Sequence, residues 1–139
     1  MKSLGIDIGG TKISYAVINE NGDILNEVEK VETPKTIDEI KTILKNIILK
    51  FENEVDLIGI ATAGAVNNEN TKVIGSTGNL PVGYSDIDFQ NLSNKKVFVE
   101  NDANCAAWAE YKIGASKGCQ NSIMLTLGTG VGGEIGRAS

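Results

Sequence analysis

Apolar and polar positions alternate with the period of a β-strand through the first part of the chain. Residues 4–8 form one alternating run, and residues 13–18 form a second. Asn21-Gly22 follows, a pair that tolerates the positive φ of a tight turn, and a third run covers residues 24–31. The pattern therefore predicts three consecutive antiparallel strands.

A helical period replaces the strand period after Pro34. Thr36 with Glu39 three residues later is a capping-box pattern. Apolar residues then recur at intervals of three and four positions as far as Phe51. This stripe predicts an amphipathic helix whose apolar side packs against the sheet. Its members are Ile37, Ile40, Ile43, Leu44, Ile47, Ile48 and Phe51.

The second half of the chain alternates short apolar runs with helical segments and loops. Residues 57–61, 97–99 and 122–127 are predicted strands, residues 102–113 a second helix, and residues 86–92 a short helix. The loop-like stretch between the first two of these strands contains a predicted brief hairpin around its valines at 66 and 73. This order predicts an α/β fold, with a mixed sheet covered by helices.

Composition excludes several classes of protein. The 139 residues, 41% hydrophobic and 22% charged, are typical of one globular domain with a real core. A net charge of −5 argues against nucleic acid as the main partner. The absence of histidine and of a CxxC motif argues against a zinc site. With no membrane-length apolar run and no leader-like segment, we expect no membrane partner and a cytoplasmic location.

Asp7 and the four residues 9–12 combine groups that suit phosphate. Gly9 and Gly10 let backbone N–H groups approach an anion, while Thr11 adds a hydroxyl and Lys12 a cation. Asp7, at the end of the first strand, can hold a metal ion or its waters. The alternative is an ordinary Gly-Gly hairpin, which requires neither the aspartate nor the Thr-Lys pair.

A second glycine-rich stretch, residues 128–133, fits the GxGxxG pattern and follows a predicted strand. A dinucleotide-binding motif would need a helix next and an acidic residue about twenty positions later. Thr129 and Val131 between the glycines suit a strand, a turn and a second strand better. We therefore interpret it as a second phosphate-binding hairpin.

Asn101 and Asp102 stand at the carboxyl end of a predicted buried strand, where open α/β sheets place their ligands. A carboxylate at a helix start is also favoured in the ionised form that accepts a proton. The alternative is that either residue merely caps the helix. Asn79, before Leu80-Pro81, is a polar side chain in a loop and by itself indicates little.

Five segments together resemble the ROK family (repressor, open reading frame, kinase) of bacterial sugar kinases, such as glucokinase and N-acetylmannosamine kinase. The segments are residues 7–12, 59–64, 78–81, 100–104 and 127–133. The resemblance implies a ribonuclease H-like (actin-like ATPase) fold. It also implies the first lobe of a two-lobe kinase, with residues 1–118 as this lobe and residues 119–139 as the first strand pair of the second.

The resemblance also implies functions for individual residues. Asp102 is expected to be the general base, and Asn79, Asn101 and Asp102 to bind the sugar. The expected phosphate-binding residues are Asp7, near Mg²⁺, with Gly9, Gly10, Thr11 and Lys12 in the first loop and Gly128, Thr129 and Gly130 in the second. The implied reaction is transfer of the ATP γ-phosphate to the 6-hydroxyl of a hexose or N-acyl hexosamine.

Three departures from the family pattern limit what the resemblance implies. Ala63 replaces a common proline, Glu134 a usual glycine, and the sequence lacks the second-lobe residues that complete the sugar and adenosine sites. We therefore expect little or no turnover from this chain alone. The apolar run 122–127 predicts either pairing with another copy, in a homodimer, or poor order. The alternatives to a kinase are a non-catalytic ROK sensing domain and an actin-like assembly domain.

Overall fold

The computed structural model describes residues 1–75, 78–127 and 131–137. The chain divides into two compact units, Met1–Asn101 and Asp102–Ser139. The first unit holds strands β1 (Lys2–Ile8), β2 (Lys12–Asn19), β3 (Glu29–Glu32), β4 (Leu57–Thr62), β5 (Ala65–Val66), β6 (Val73–Gly75) and β7 (Lys96–Asn101), with helix α1 (Ile37–Phe51). The second unit holds helix α2 (Asp102–Ile113) and strands β8 (Asn121–Leu127) and β9 (Val131–Arg137).

Five strands of the first unit form one mixed sheet in the order β3-β2-β1-β4-β7. The pairs β1–β2 and β2–β3 are antiparallel, whereas β1–β4 and β4–β7 are parallel. The short strands β5 and β6 form a separate antiparallel hairpin. The mixed sheet, the antiparallel start and the small hairpin confirm the sequence predictions.

Helix α1 supplies much of the core of this unit. The predicted cap is present, because the Thr36 side chain accepts the Glu39 N–H at 3.4 Å and its hydroxyl donates to the Glu39 carboxylate at 2.7 Å. The apolar side of α1 is buried together with the inward-facing residues of the sheet, as the stripe predicted. The buried helix residues are Ile40, Leu44, Ile47, Ile48 and Phe51.

The third strand is shorter than its hydrophobic pattern predicts. It covers Glu29–Glu32 rather than residues 24–31. Before it, the Val17 N–H donates to the side-chain oxygen of Asn26 at 2.7 Å, while the Val17 carbonyl accepts the Leu25 N–H at 2.8 Å. Because a side chain takes one of the backbone donors, the ladder is interrupted, and only an isolated bridge between Ile18 and Ile24 remains there.

The predicted short helix at residues 86–92 is instead two 3₁₀ turns, Tyr84–Asp86 and Phe89–Leu92. Ile87 has an extended backbone, which prevents one continuous helix. Asp88 caps the second turn by accepting the Gln90 N–H at 3.1 Å. The apolar residues of this stretch are buried nonetheless, so the pattern identified core positions but not the backbone type.

In the second unit β8 pairs antiparallel with β9, with Leu127 opposite Val131. A strand, not a helix, therefore follows the glycine-rich stretch, as predicted. Residues 128–130 lie outside the described residues. Across the part of the chain that is described, no helix has the length and apolar character needed to cross a membrane.

Candidate active site

Three parallel strands bring their carboxyl ends to one edge of the central sheet. The register pairs Asp7 with Ala61 and Ala61 with Glu100, and then Ile8 with Thr62 and Thr62 with Asn101. Asp7 and Glu100 therefore lie on the same face of the sheet, two strand spacings or about 10 Å apart. This is the edge at which α/β sheets place their ligands.

The turn between β1 and β2 is fixed by a residue that sequence reasoning missed. The Gly9 N–H donates to the Lys12 carbonyl at 3.0 Å and closes the turn. Thr33, which is buried, donates its hydroxyl to the Gly9 carbonyl at 2.7 Å and its N–H to the Thr11 carbonyl at 2.9 Å. Nothing in the local sequence pattern around Thr33 indicates this contact.

In the described part of the chain, the donors at the tip of this turn are not taken up by the protein's own acceptors. Among the described residues, the N–H groups of Gly10 and Thr11 have no protein acceptor, whereas that of Gly9 is used within the turn. Gly10, Thr11 and Lys12 are exposed. Lys12 and Lys30 also line a groove of about 380 Å³ beside the turn. Two backbone donors, a hydroxyl and a cation thus remain available to an anion.

The loop of Asn79 packs directly against this turn. A Cβ atom on Gly10 would lie 3.0 Å from the Asn79 carbonyl oxygen and 3.1 Å from the Asn79 Cβ. The adjacent Leu80 is buried and anchors the loop, while Asn79 itself is exposed. The structure therefore brings together a predicted phosphate-binding residue and a predicted sugar-binding residue that lie far apart in sequence.

Asn101 is held at the end of β7 by the turn that follows β4. Its side-chain amide donates to the Gly64 carbonyl at 2.9 Å, and its backbone N–H donates to the Glu100 carboxylate at 2.7 Å. Gly64 has a φ of 102°, and a Cβ there would lie 2.3 Å from the Gly75 carbonyl oxygen. Only glycine fits that position, so the position of Asn101 depends on it.

Beneath the strand ends, a buried hydroxyl pair joins β4 to the first 3₁₀ turn. The Thr62 hydroxyl and the Tyr84 hydroxyl are 2.8 Å apart, and both residues are fully buried. Burial raises the pKa of Tyr84 to about 12, although the hydrogen bond with Thr62 acts in the opposite direction. Tyr84 is therefore protonated at neutral pH and acts as a structural support for the edge.

Asp102 is the first residue of α2 and opens the second unit. Its side chain is exposed, and its Oδ1 accepts the N–H of Ala103 at 2.8 Å. The remaining predicted phosphate-binding residues, Gly128, Thr129 and Gly130, lie outside the described residues. Of the predicted set, the structure thus brings together the turn at residues 9–12 and Asn79.

Comparison with known proteins decides the family. The profile of the ROK family matches residues 3–136. The chain belongs to the ROK family. The solved ROK sugar kinases have the actin-like ATPase fold, so the predicted fold class is confirmed.

Individual ROK relatives are sugar kinases. A glucokinase from Streptomyces coelicolor is 39% identical, with 96% of this chain and 43% of the relative covered. An N-acetylmannosamine kinase from Haemophilus influenzae is 31% identical, with 97% and 46% covered. The crystal structure of a ROK glucokinase from Streptomyces griseus in complex with glucose and AMPPNP has a TM-score of 0.85 and 36% identity, with 99% and 45% covered. The chain thus spans less than half the length of these relatives.

Proposed function

We propose that the protein containing this chain is an ATP-dependent sugar kinase. It transfers the γ-phosphate to the 6-hydroxyl of a hexose or N-acyl hexosamine, with glucose or N-acetylmannosamine as the substrate. The observation that carries the proposal is the contact between the Gly10 turn and the Asn79 loop. A kinase must hold ATP beside the sugar that receives the phosphoryl group. These two loops carry hydrogen-bond donors for the phosphates and for the sugar, and they touch one another.

The Gly9–Lys12 turn fits the phosphates of ATP. The free N–H groups of Gly10 and Thr11, the Thr11 hydroxyl and the Lys12 ammonium provide donors and positive charge where phosphoryl oxygens gain negative charge. The exposed carboxylate of Asp7 is a hard oxygen ligand of the type that Mg²⁺ prefers, directly or through water. Bound ATP supplies the phosphoryl group, and Mg²⁺ neutralises part of its charge.

On the sugar side, Asn79 and Asn101 provide amide groups that hydrogen-bond hydroxyls and orient the ring. Asp102 accepts the proton of the 6-hydroxyl as that oxygen attacks, because a neutral hydroxyl is a poor nucleophile. The exposed carboxylate is compatible with this function. Gly128, Thr129 and Gly130 are assigned to a second phosphate-binding loop on the sequence motif alone.

The proposal extends to the whole protein. Residues 1–118 form its amino-terminal lobe, and residues 119–139 begin the second lobe. The 139-residue chain by itself has little or no turnover. The intact protein is a cytoplasmic homodimer whose ligands are ATP, Mg²⁺ and a sugar rather than nucleic acid or membrane.

The test is ATP-dependent phosphotransfer to a panel of hexoses, followed by phosphorus NMR on the intact protein. Asp102→Asn keeps the size of the side chain and removes the base, so kcat should fall by about 10²–10⁴-fold while sugar binding persists. Asp38→Asn, a change of an exposed aspartate on α1, is the matched control and should leave kcat unchanged. Equal kcat for Asp102→Asn and wild type would refute the assignment. Sugar binding without turnover in the wild type would instead favour the sensing-domain alternative.

A further inference from the structure

The loop at residues 67–72, which joins β5 to β6, is built around Asn70. Asn70 has a φ of 56° and is the one non-glycine residue with positive φ in the described part of the chain. Asn67 organises the loop, since its side-chain oxygen accepts the N–H groups of Thr71 at 2.9 Å and Lys72 at 2.8 Å. The Asn70 side chain is therefore presented from a turn that is closed by hydrogen bonds to Asn67.

Asn70 binds the outer edge of β7. Its carbonyl accepts the Val99 N–H at 2.8 Å, and its side-chain amide donates to the Val99 carbonyl at 3.0 Å. Because β7 is the last strand in the order β3-β2-β1-β4-β7, no strand of the described residues pairs with this edge in the sheet. Asn70 therefore pairs with the backbone of an edge strand just before that strand reaches the candidate site.

The same amide also donates to the Glu100 carboxylate, with Nδ2 2.7 Å from Oε2. The other carboxylate oxygen of Glu100 accepts the Asn101 N–H at 2.7 Å. The Asn101 side chain in turn donates to the Gly64 carbonyl at 2.9 Å. Hydrogen bonds thus run from the Asn70 loop through Glu100 to the backbone of Asn101, whose side chain is held separately by the Gly64 carbonyl.

We propose that Asn70 is a positioning residue of the sugar site, acting through Glu100 to set the orientation of Asn101. The proposal rests on the assignment of Asn101 as a sugar ligand. Asn70 must be a donor here, because it faces a carboxylate and a carbonyl together. An aspartate at position 70 tolerates positive φ but would place one carboxylate against another.

The first test uses steady-state kinetics of the intact protein. Asn70→Asp should raise the KM for sugar by about tenfold, while the KM for ATP changes by less than about twofold. Asn68→Asp adds the same charge in the same loop, where among the described residues its side chain has no hydrogen bond, and should change neither KM. A fall in kcat with both KM values unchanged would indicate only a general loss of folded protein and would overturn the proposal.

A donor–acceptor exchange provides the specific control. In Asn70→Asp combined with Glu100→Gln, the new amide at position 100 can donate to the new carboxylate at position 70. The double variant should have a sugar KM below that of Asn70→Asp alone, because the hydrogen bond between positions 70 and 100 is restored with its direction reversed, while the bond from position 70 to the Val99 carbonyl stays lost. A double variant that is worse than both single variants would overturn the pairing of these two side chains.

Amide hydrogen exchange separates this proposal from the proposed function. Asn70→Asp should accelerate exchange of the Asn101 N–H, and Asn68→Asp should not. If the intact protein phosphorylates no sugar on the panel, the kinase assignment fails while the exchange result still reports whether Asn70 holds Asn101. Unchanged exchange at Asn101 in Asn70→Asp would overturn the positioning proposal whether or not the protein is active.

Discussion

Replacement of Gly64 by alanine tests how the sheet edge that carries Asn101 is held in place. Two separate costs in the free energy of unfolding add at this position. An alanine at a φ of 102° is strained by about 1–2 kcal/mol relative to glycine. Its Cβ would also lie 2.3 Å from the Gly75 carbonyl oxygen, so the β5–β6 hairpin must move, at a cost of about 1–3 kcal/mol. We therefore expect Gly64→Ala to lower the free energy of unfolding by about 2–5 kcal/mol.

Substitutions at two other glycines distinguish the cost of backbone strain from the cost of the contact with Gly75. Gly118 has a φ of 83°, and no atom of the described residues lies within 4 Å of the point that a Cβ would occupy, so Gly118→Ala should show the backbone strain alone, about 1–2 kcal/mol. Gly59 has no positive φ, and within the described ranges no atom lies within 4 Å of the corresponding point, so Gly59→Ala should be close to neutral. The difference between Gly64→Ala and Gly118→Ala is then a measure of the contact with Gly75.

The assay is urea unfolding of the intact protein, with the midpoint and the slope m compared among the three variants. Because the Gly64 carbonyl accepts the Asn101 amide, Gly64→Ala should also weaken sugar binding, whereas Gly118→Ala should not. Equal destabilisation in Gly64→Ala and Gly118→Ala would refute the argument, since it would show that the hairpin does not confine position 64.

Two further predictions follow from the same edge. Tyr84 is buried and its pKa is raised from 10.0 to about 12, so the stability it contributes is complete below pH 10 and is lost as the pH rises towards 12. Wild type should lose about 3 kcal/mol more than Tyr84→Phe across that interval in pH-dependent unfolding, and parallel curves would contradict the prediction. Gly10→Ala, with its Cβ 3.0 Å from the Asn79 carbonyl oxygen, should raise the KM values of ATP and sugar together, because the two loops must separate. A rise in only one KM in steady-state kinetics would show that the contact does not couple them.

Much of the fold follows from local patterns. The period of two in residues 4–8 and the period between three and four in α1 depend on which side chains are apolar, and burial of those side chains dominates folding. The Thr36 cap was also predictable, because Thr36 and Glu39 lie within one helical turn of each other in the sequence. The edge that carries the candidate site was also predictable, because parallel strands end together.

Other features required the tertiary structure. The pattern at residues 24–31 favoured a full strand. The Asn26 side chain instead accepts the Val17 N–H, and the third strand is therefore shorter. The contacts of Thr33 and Asn70 also required the tertiary structure. The Thr33 hydroxyl donates to the Gly9 carbonyl across 24 positions, and the Asn70 amide donates to the Glu100 carboxylate across 30.

The amino-acid sequence by itself determined most of the strands, the amphipathic helix and the segments to which we assign phosphate and sugar binding, because each depends on neighbouring residues. The tertiary structure alone decided that the Gly10 turn touches the Asn79 loop and that Asn70 reaches Glu100. Such contacts join residues distant along the chain, and they depend on strand register and on the path of the intervening loops, which no local pattern encodes.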